Sequence, residues 1–525
     1  MRGRGVAFES TPHAPSSLEP RHSPLIRSRT FILLTAFLSG IAVTAMEISA
    51  SRIVAPFVGS SSIVWTNVIG IVLAALALGY YLGGRLAERT PNLNVLLSII
   101  LGTGIFFSAV PFFAYPAIKG LLVLTPSHSP FAQILLGSAL ITTVLFGLPL
   151  VVLGMVSPFL IKLYASAPDS KIGVAAGSIS ALSTVGSIIG TFLPTLWLIP
   201  QFGTRRTILV FAALLIVLSV TGLASSNLKL AGLGLVLVPS LIPFPAAIRA
   251  DARTVFETES AYQYMQVRQD KRGVRYLMFN QERGVQSFYD PKHVLTGYYY
   301  DYCALLPYLQ GYKPGKQFHV LLIGLAGAAI TREFKYFFGD DADIDAVELD
   351  PQAIDISRKY FDLDSQHLNV INQDGRTYLT HSAKQYDIVI VDAYQNATFI
   401  PWTLTTREFW QEVKARLQPS GIVSINVNIW YMNPLVRAVE NTQANVFENV
   451  YRTKVIYNFM ITAANANLDF KALPHLIEYA DQHPMAARLA SDTMRIPFDR
   501  NALLLTDDRA PVEFLNLQAY GLQGK

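Results

Sequence analysis

From Phe31 to Ile248 the chain is a succession of apolar stretches, each close to the roughly 20 residues that cross the hydrocarbon core of a bilayer. They fall near residues 31–51, 62–84, 94–118, 131–161, 172–200, 207–224 and 230–248. Most carry no charge, and an uncharged segment in lipid can satisfy its own backbone donors and acceptors only as a helix. The pattern predicts an α-helical multi-pass membrane domain over residues 31–248, preceded by a tail of residues 1–30. Composition agrees: 51% of the 525 residues are hydrophobic and 15% charged, with a mean hydropathy of +0.34. The apolar excess lies before about residue 250.

The tail is rich in Pro, Ser and His and has no short apolar core ahead of the first long stretch, so a cleavable signal is not expected. Arg2, Arg4, Arg21, Arg27 and Arg29 should hold it in the cytoplasm by the positive-inside rule. Arg85 and Arg89 after the second stretch, and Lys162 and Lys171 after the fourth, agree with that orientation; Arg205 and Arg206 do not. Seven crossings from inside would set the second half outside, where adenosine cofactors are scarce. An even count keeps it in the cytoplasm of a bacterial inner membrane, which is the expectation. Residues 235–245 suit a helix least, because Pro239 and Pro243 each remove a backbone donor.

Within the apolar half, Gly173 with Gly177 and Gly186 with Gly190 have the four-residue spacing of close helix packing. Glu47 is the acid deep in a span. An intramembrane carboxylate is a functional candidate, although Arg52 at the same span's end offers a simple ion pair.

After residue 250 the pattern changes to strands. AYQYMQVRQ and RYLMFN flank DKRG, and Gly273 in that turn predicts a hairpin, the centre of a small β-strand subdomain over residues 251–290. A Tyr-rich helix, HVLTGYYYDYCALLPYL, follows. Strands at 318–323, 343–349, 368–372, 386–391 and 420–427 then alternate with helices over residues 291–525. That order predicts an α/β, Rossmann-like, mostly parallel sheet covered on both faces. Residues 319–350 read as a strand, a small-residue turn with Gly324 and Gly327, a helix, and a strand ending in Glu348 and Asp350. This is a nucleotide-binding crossover, in which glycines admit a ligand to the backbone and an acid at the next strand end holds ribose hydroxyls. Asp374 and Asp392 end two further strands.

Cys303 is the only cysteine, so no intrachain disulfide or thiolate cluster is available. The nine histidines lack HExxH spacing, and no metal is expected. A net charge of +5 suits inner-leaflet loops better than nucleic acid.

The run from ESAYQ through GLAGAA, VELD, QDG and VDAYQN resembles the spermidine synthase (polyamine aminopropyltransferase) family in order and spacing. With the apolar half, DAYQNATFIPWTLTTREFW and the late LLLTDDRAPVE, the chain resembles the membrane-integrated bacterial members. The resemblance implies an S-adenosylmethionine-dependent transferase fold and decarboxylated S-adenosylmethionine as co-substrate, with no permanently bound cofactor. It implies that Gln263 contacts the nucleoside, Glu348 the ribose, and Asp374 with Gly375 the adenine edge. Gly324 and Gly327 would form the co-substrate loop, and Pro401 a loop over it. Asp392 takes the place of the proton-accepting acid, first in the family's D-x-x-D motif.

Three positions depart from the family. Gly327 stands where the loop has an amine-binding acid, Gln395 replaces the second acid of D-x-x-D, and Tyr300, next to Asp301, replaces the histidine of Tyr-His-Glu. Asp301 and Glu257 are the acids near enough in sequence to substitute. The implied activity is aminopropyl transfer to putrescine or a related amine at the lipid bilayer, by a chain that is compatible with a homo-oligomer. Two alternatives stay open: a methyltransferase using S-adenosylmethionine, and a transporter or sensor that binds a polyamine or nucleoside without turnover.

Overall fold

The computed structural model describes residues 29–125, 130–166, 170–223, 248, 251–280, 284–395, 399–427, 433–477 and 482–521. Among them five helical stretches are long and apolar enough to cross a membrane. Three are single helices, α1 (Arg29–Val58), α2 (Ser62–Arg89) and α3 (Leu93–Val123). The fourth comprises α4 (Pro130–Thr142), a π-helical turn (Thr143–Gly147), α5 (Leu148–Gly154) and α6 (Val156–Ala165). The fifth joins α7 (Ile172–Leu193) to α8 (Ile199–Gly222) through another π turn (Pro194–Leu198).

Its 51 residues would span about 75 Å at ~1.5 Å per residue, far beyond the ~30 Å of a bilayer core. The stretch breaks at Gly203, whose φ of 77° and ψ of 165° are not helical. It is therefore two arms, matching the stretches expected at 172–200 and 207–224. The expected seventh span, 230–248, lies outside the described residues except for Ile248.

Small residues set the tightest packing in the bundle. A Cβ at Gly186 or Gly190 would collide with the carbonyls of Phe37 and Ile41 on α1, and one at Gly40 with that of Ser183 on α7. Gly173 and Gly177 meet nothing within 4 Å, so the four-residue spacing marks a helix contact at only one of the two expected pairs.

The two ends of the bundle differ. At one end Lys162 pairs with Glu88 at 2.8 Å, Arg29 lies over the Tyr164 ring, and Gly222 packs on Phe31 and Leu97. The other end carries the second half of the chain. There Arg52 donates to the Ser260 carbonyl at 3.3 Å, the Thr204 N–H donates to Glu259 Oε2 at 2.8 Å, and the Ser62 N–H donates to Glu513 Oε2 at 2.8 Å. Ile248 donates its N–H to Glu257 at 2.7 Å at this same end, away from Leu223. Arg29 and the second half thus sit at opposite ends. This corrects the expectation that an even count of crossings keeps the Arg-rich tail and the soluble half on one side.

The second half opens with a four-stranded antiparallel sheet, β1 (Thr254–Glu259), β2 (Tyr264–Gln269), β3 (Arg275–Phe279) and β4 (Val285–Tyr289), in the order β1-β2-β3-β4. The expected hairpin is its β2–β3 pair, turning at Gly273 with φ 86°. The Tyr-rich stretch is not one helix. Gly297, at φ 77°, precedes a single turn, α9 (Tyr299–Cys303), and the next turn begins at Leu306.

The main sheet contains β5 (Phe318–Ile323), β6 (Ala342–Glu348), β7 (Asn369–Asn372), β8 (Tyr386–Val391), β9 (Leu417–Val427), β10 (Asn449–Val455), β11 (Asn458–Ala464) and β12 (Thr493–Arg495). Its order is β12-β10-β11-β9-β8-β5-β6-β7. From β9 to β7 every pair is parallel, and β10 to β12 add an antiparallel edge. Alternation along β5 explains the burial: Val320 and Leu322 face one apolar cluster, and Leu321 and Ile323 the other. Strands covered on both faces read as continuous apolar runs, as in VLLIG and DIVIVD. Helices α10 (Ala329–Phe338), α11 (Pro351–Tyr360), α12 (Gly375–His381), α13 (Arg407–Arg416) and α14 (Pro434–Val446) connect the strands, and α15 (Val512–Gly521) ends the described chain. Leu517 of α15 and Phe399 belong to the apolar core of the helical bundle.

Candidate active site

The order of strands reverses between β5 and β8, and ligands of open α/β sheets bind at such switch points, beyond the carboxyl ends of the strands. Gly324 follows β5 and Asp392 follows β8, and their backbones touch. The Asp392 N–H donates to the Ile323 carbonyl at 2.8 Å. Gly324 has φ 96°, and a Cβ there would run into the Asp392 carbonyl.

The Asp392 side chain is held on both oxygens. The Tyr299 hydroxyl donates to Oδ2 at 2.9 Å, and Asn426 Nδ2 donates to Oδ1 at 2.8 Å. Asn458 donates to Asn426 Oδ1 at 2.7 Å, which fixes the direction of that amide. Burial pushes the Asp392 carboxyl up to about 6, against the pull of the two hydrogen bonds that favour its charged form. A carboxylate with such a value is ionised near neutrality and remains basic enough to take a proton.

Glu348 ends β6 and reaches back to the glycine loop. Its Oε2 accepts from the N–H groups of Leu325 (3.1 Å) and Ala326 (3.0 Å), and its Oε1 from Asp350 (3.0 Å). Burial raises its pKa, and those amides oppose the rise. Asp350 accepts from Ser260 at 2.5 Å, and the N–H groups of Tyr262 and Gln263 each donate to the Ser260 hydroxyl at 3.0 Å. Gln263, 8% exposed, belongs to the turn that Ser260 ties to Asp350. Asp374 is exposed and caps α12, accepting from the Thr377 N–H at 2.8 Å. Gly375 has a packing reason of its own, since a Cβ would strike Ile323. Pro401 leads into the turn Trp402–Leu404, and Arg376 ties this region to the late acidic motif by pairing with Asp507 and Glu412, each at 2.7 Å.

The residues expected on the amine side are engaged otherwise. The Asp301 carboxylate accepts from Thr296 N–H (2.9 Å), Thr296 hydroxyl (2.7 Å) and Gly297 N–H (2.8 Å), closing its own turn. Glu257 accepts from the Tyr264 hydroxyl at 2.6 Å within the small sheet. Neither carboxylate stands free to replace the acid missing at Gly327. A Cβ at Gly327 would meet Ser287 of β4 at 2.5 Å, so that position is closed by protein. Tyr300 is 3% exposed and stacks on Tyr299 with centroids 4.2 Å apart. Gln395 is exposed, and its N–H pairs with the Phe399 carbonyl at 2.7 Å.

Tyr299, Asn426 and Asn458 were not distinguished by sequence. Glu333, 1% exposed and beside Asp301, was also missed; burial and that neighbouring carboxylate hold its pKa well above the usual range. Arg52 does not form the ion pair expected with Glu47: five positions put them about 140° apart around a helix, and Arg52 turns to Ser260 and Ala261 instead.

The family model described as the spermine/spermidine synthase domain matches residues 309–466. A probable polyamine aminopropyl transferase of Bifidobacterium longum is 32% identical over 202 residues, covering 38% of this chain and 43% of that protein. A polyamine aminopropyltransferase of Vibrio vulnificus is 27% identical over 285 residues, covering 50% of this chain and 91% of its own. Polyamine aminopropyltransferase 1 of Streptomyces coelicolor is 24% identical over 394 residues, covering 67% of this chain and 72% of its own. That match is too long for the second half of the chain alone and extends into the apolar half.

Proposed function

We propose that the protein is a membrane-bound aminopropyltransferase of the spermidine synthase type, acting on putrescine or a related amine with decarboxylated S-adenosylmethionine as donor. The observation that carries this reading is Asp392, oriented by Tyr299 and Asn426 at the switch point of the synthase domain.

The chemistry is displacement at a sulfonium. The amine nitrogen forms a bond to the propyl carbon next to sulfur, the carbon–sulfur bond breaks, and its electron pair leaves sulfur neutral in methylthioadenosine. The amine arrives protonated at neutral pH, and Asp392 takes that proton so that the lone pair is free to attack. Tyr299 and Asn426 keep the carboxylate aimed. Glu348, Gln263 and Asp374 hold the nucleoside, which makes the attack effectively intramolecular. The closure of position 327 by Ser287 supports an amine side that differs from the family pattern.

S-adenosylmethionine carries the same ribose and adenine, so methyl transfer is the second reading. The deciding experiment supplies each donor separately to the purified full chain with a panel of amines and identifies products by mass. Methylthioadenosine with an aminopropylated amine supports the proposal; S-adenosylhomocysteine with a methylated amine moves it to methyl transfer. Release of neither product from any pairing rejects both. Asp392→Asn should abolish transfer.

A further inference from the structure

Three elements of the bundle converge on one short turn of the synthase half. From α1, Arg52 donates to the carbonyls of Ser260 and Ala261. At the break within α8, the Thr204 N–H holds Glu259. From α2, Trp65 lines a cavity of about 110 Å³ whose other walls include Arg52, Glu259, Tyr262 and Gln263. The turn so held, residues 260–263, carries Gln263.

The contact continues inward. Ser260 is 1% exposed and Asp350 2% exposed. The Ser260 hydroxyl donates to Asp350 Oδ2, and the Asp350 N–H donates to Glu348 Oε1 at 3.0 Å. A chain of hydrogen bonds thus runs from a membrane-helix guanidinium through Ser260 and Asp350 to Glu348. Buried polar chains transmit position well because leaving any member unpaired is costly.

We propose that the membrane bundle completes the nucleoside site, with Arg52 as a positioning residue that sets the 260–263 turn and, through Ser260 and Asp350, Glu348. This rests on the proposed function above. Arg52 suits the role because one planar guanidinium donates to two neighbouring carbonyls at once, which fixes orientation as well as distance. Joining a bundle to a transferase domain then has a direct chemical effect: the turn over the nucleoside is braced by helices that the domain alone does not possess.

The test uses the full chain in detergent, with methylthioadenosine as the calorimetric probe. Arg52→Gln should weaken methylthioadenosine binding by about tenfold, the ratio corresponding to one charge-assisted hydrogen bond. The amine KM should stay close to wild type. Ser260→Ala breaks the same chain from the synthase side and should weaken methylthioadenosine binding in the same direction, which keeps the test open if Arg52→Gln fails to fold. Unchanged affinity in a folded variant of either kind, or a rise confined to the amine KM, overturns the proposal. A wild-type chain that binds neither methylthioadenosine nor S-adenosylmethionine overturns the functional reading itself, and this inference with it.

Discussion

Replacing Tyr299 by Phe isolates one hydrogen bond to Asp392. The ring, its stacking on Tyr300 and its burial remain; only the hydroxyl 2.9 Å from Oδ2 is lost. That bond favours the charged carboxylate, so its loss raises the pKa above the wild-type value of about 6. A hydrogen bond to a charged group contributes about 1.5–3 kcal/mol, and one pKa unit corresponds to about 1.4 kcal/mol, so the rise is about 1–2 units. With a base of pKa about 6, roughly nine-tenths of the protein is ionised at pH 7; at about 7 to 8 the ionised share falls about 2- to 10-fold. Single-turnover rates under saturating amine should show the acid-limb inflection near 6 in the wild type and displaced upward in Tyr299→Phe, with partial recovery of rate on the alkaline side. An inflection that stays in place or moves to lower pH refutes the assignment of Asp392 as the proton acceptor. The sign for stability is also set. A carboxyl whose folded pKa is raised favours the fold below its unfolded value near 4, and that contribution fades as pH rises through 6. Activity and this part of the stability therefore move in opposite directions over that window.

Restoring the family acid with Gly327→Asp should not rescue amine binding, because its Cβ meets Ser287; thermal melting should fall, and a lowered amine KM at unchanged melting would contradict this. Gly186→Leu should separate α7 from α1 and destabilise the bundle by about 1–3 kcal/mol or more, as overpacking does, whereas Gly173→Leu meets open space and should melt like wild type. Cys303 is buried, so single cysteines introduced at exposed Ser166 and Lys271 report sidedness in intact cells. A membrane-impermeant maleimide should label Lys271→Cys and not Ser166→Cys if the basic end faces the cytoplasm, and labelling of both or neither would contradict the arrangement of the bundle ends.

The sequence revealed what repeats or runs. Uncharged stretches announced the helices of the bundle, and VLLIG and DIVIVD announced strands covered on both faces. Glu348 and Asp392 were visible because an acid directly after such a run sits at the carboxyl edge of a sheet. Other features depended on separations that leave no local trace. Tyr299 comes from 93 residues before Asp392, and Asn426 from 34 after it. β1 and β4 are short and half exposed, so the small sheet looked like a hairpin. The Tyr-rich segment had helical residue types throughout, but Gly297 and the closure of a turn by Asp301 limit it to a single turn. Arg52 had a plausible neighbour in Glu47; helix geometry and a turn 208 residues away took precedence.

The hydrogen bond from Ser62 to Glu513 joins positions 451 residues apart. At about 5–20 residues per second, synthesis needs about 20–90 s to move from one to the other. The end of α2 that receives α15 therefore stays unfilled until the residues around Glu513 have been made. Closure of the junction becomes a late step of maturation, available only to chains whose α15 has left the ribosome.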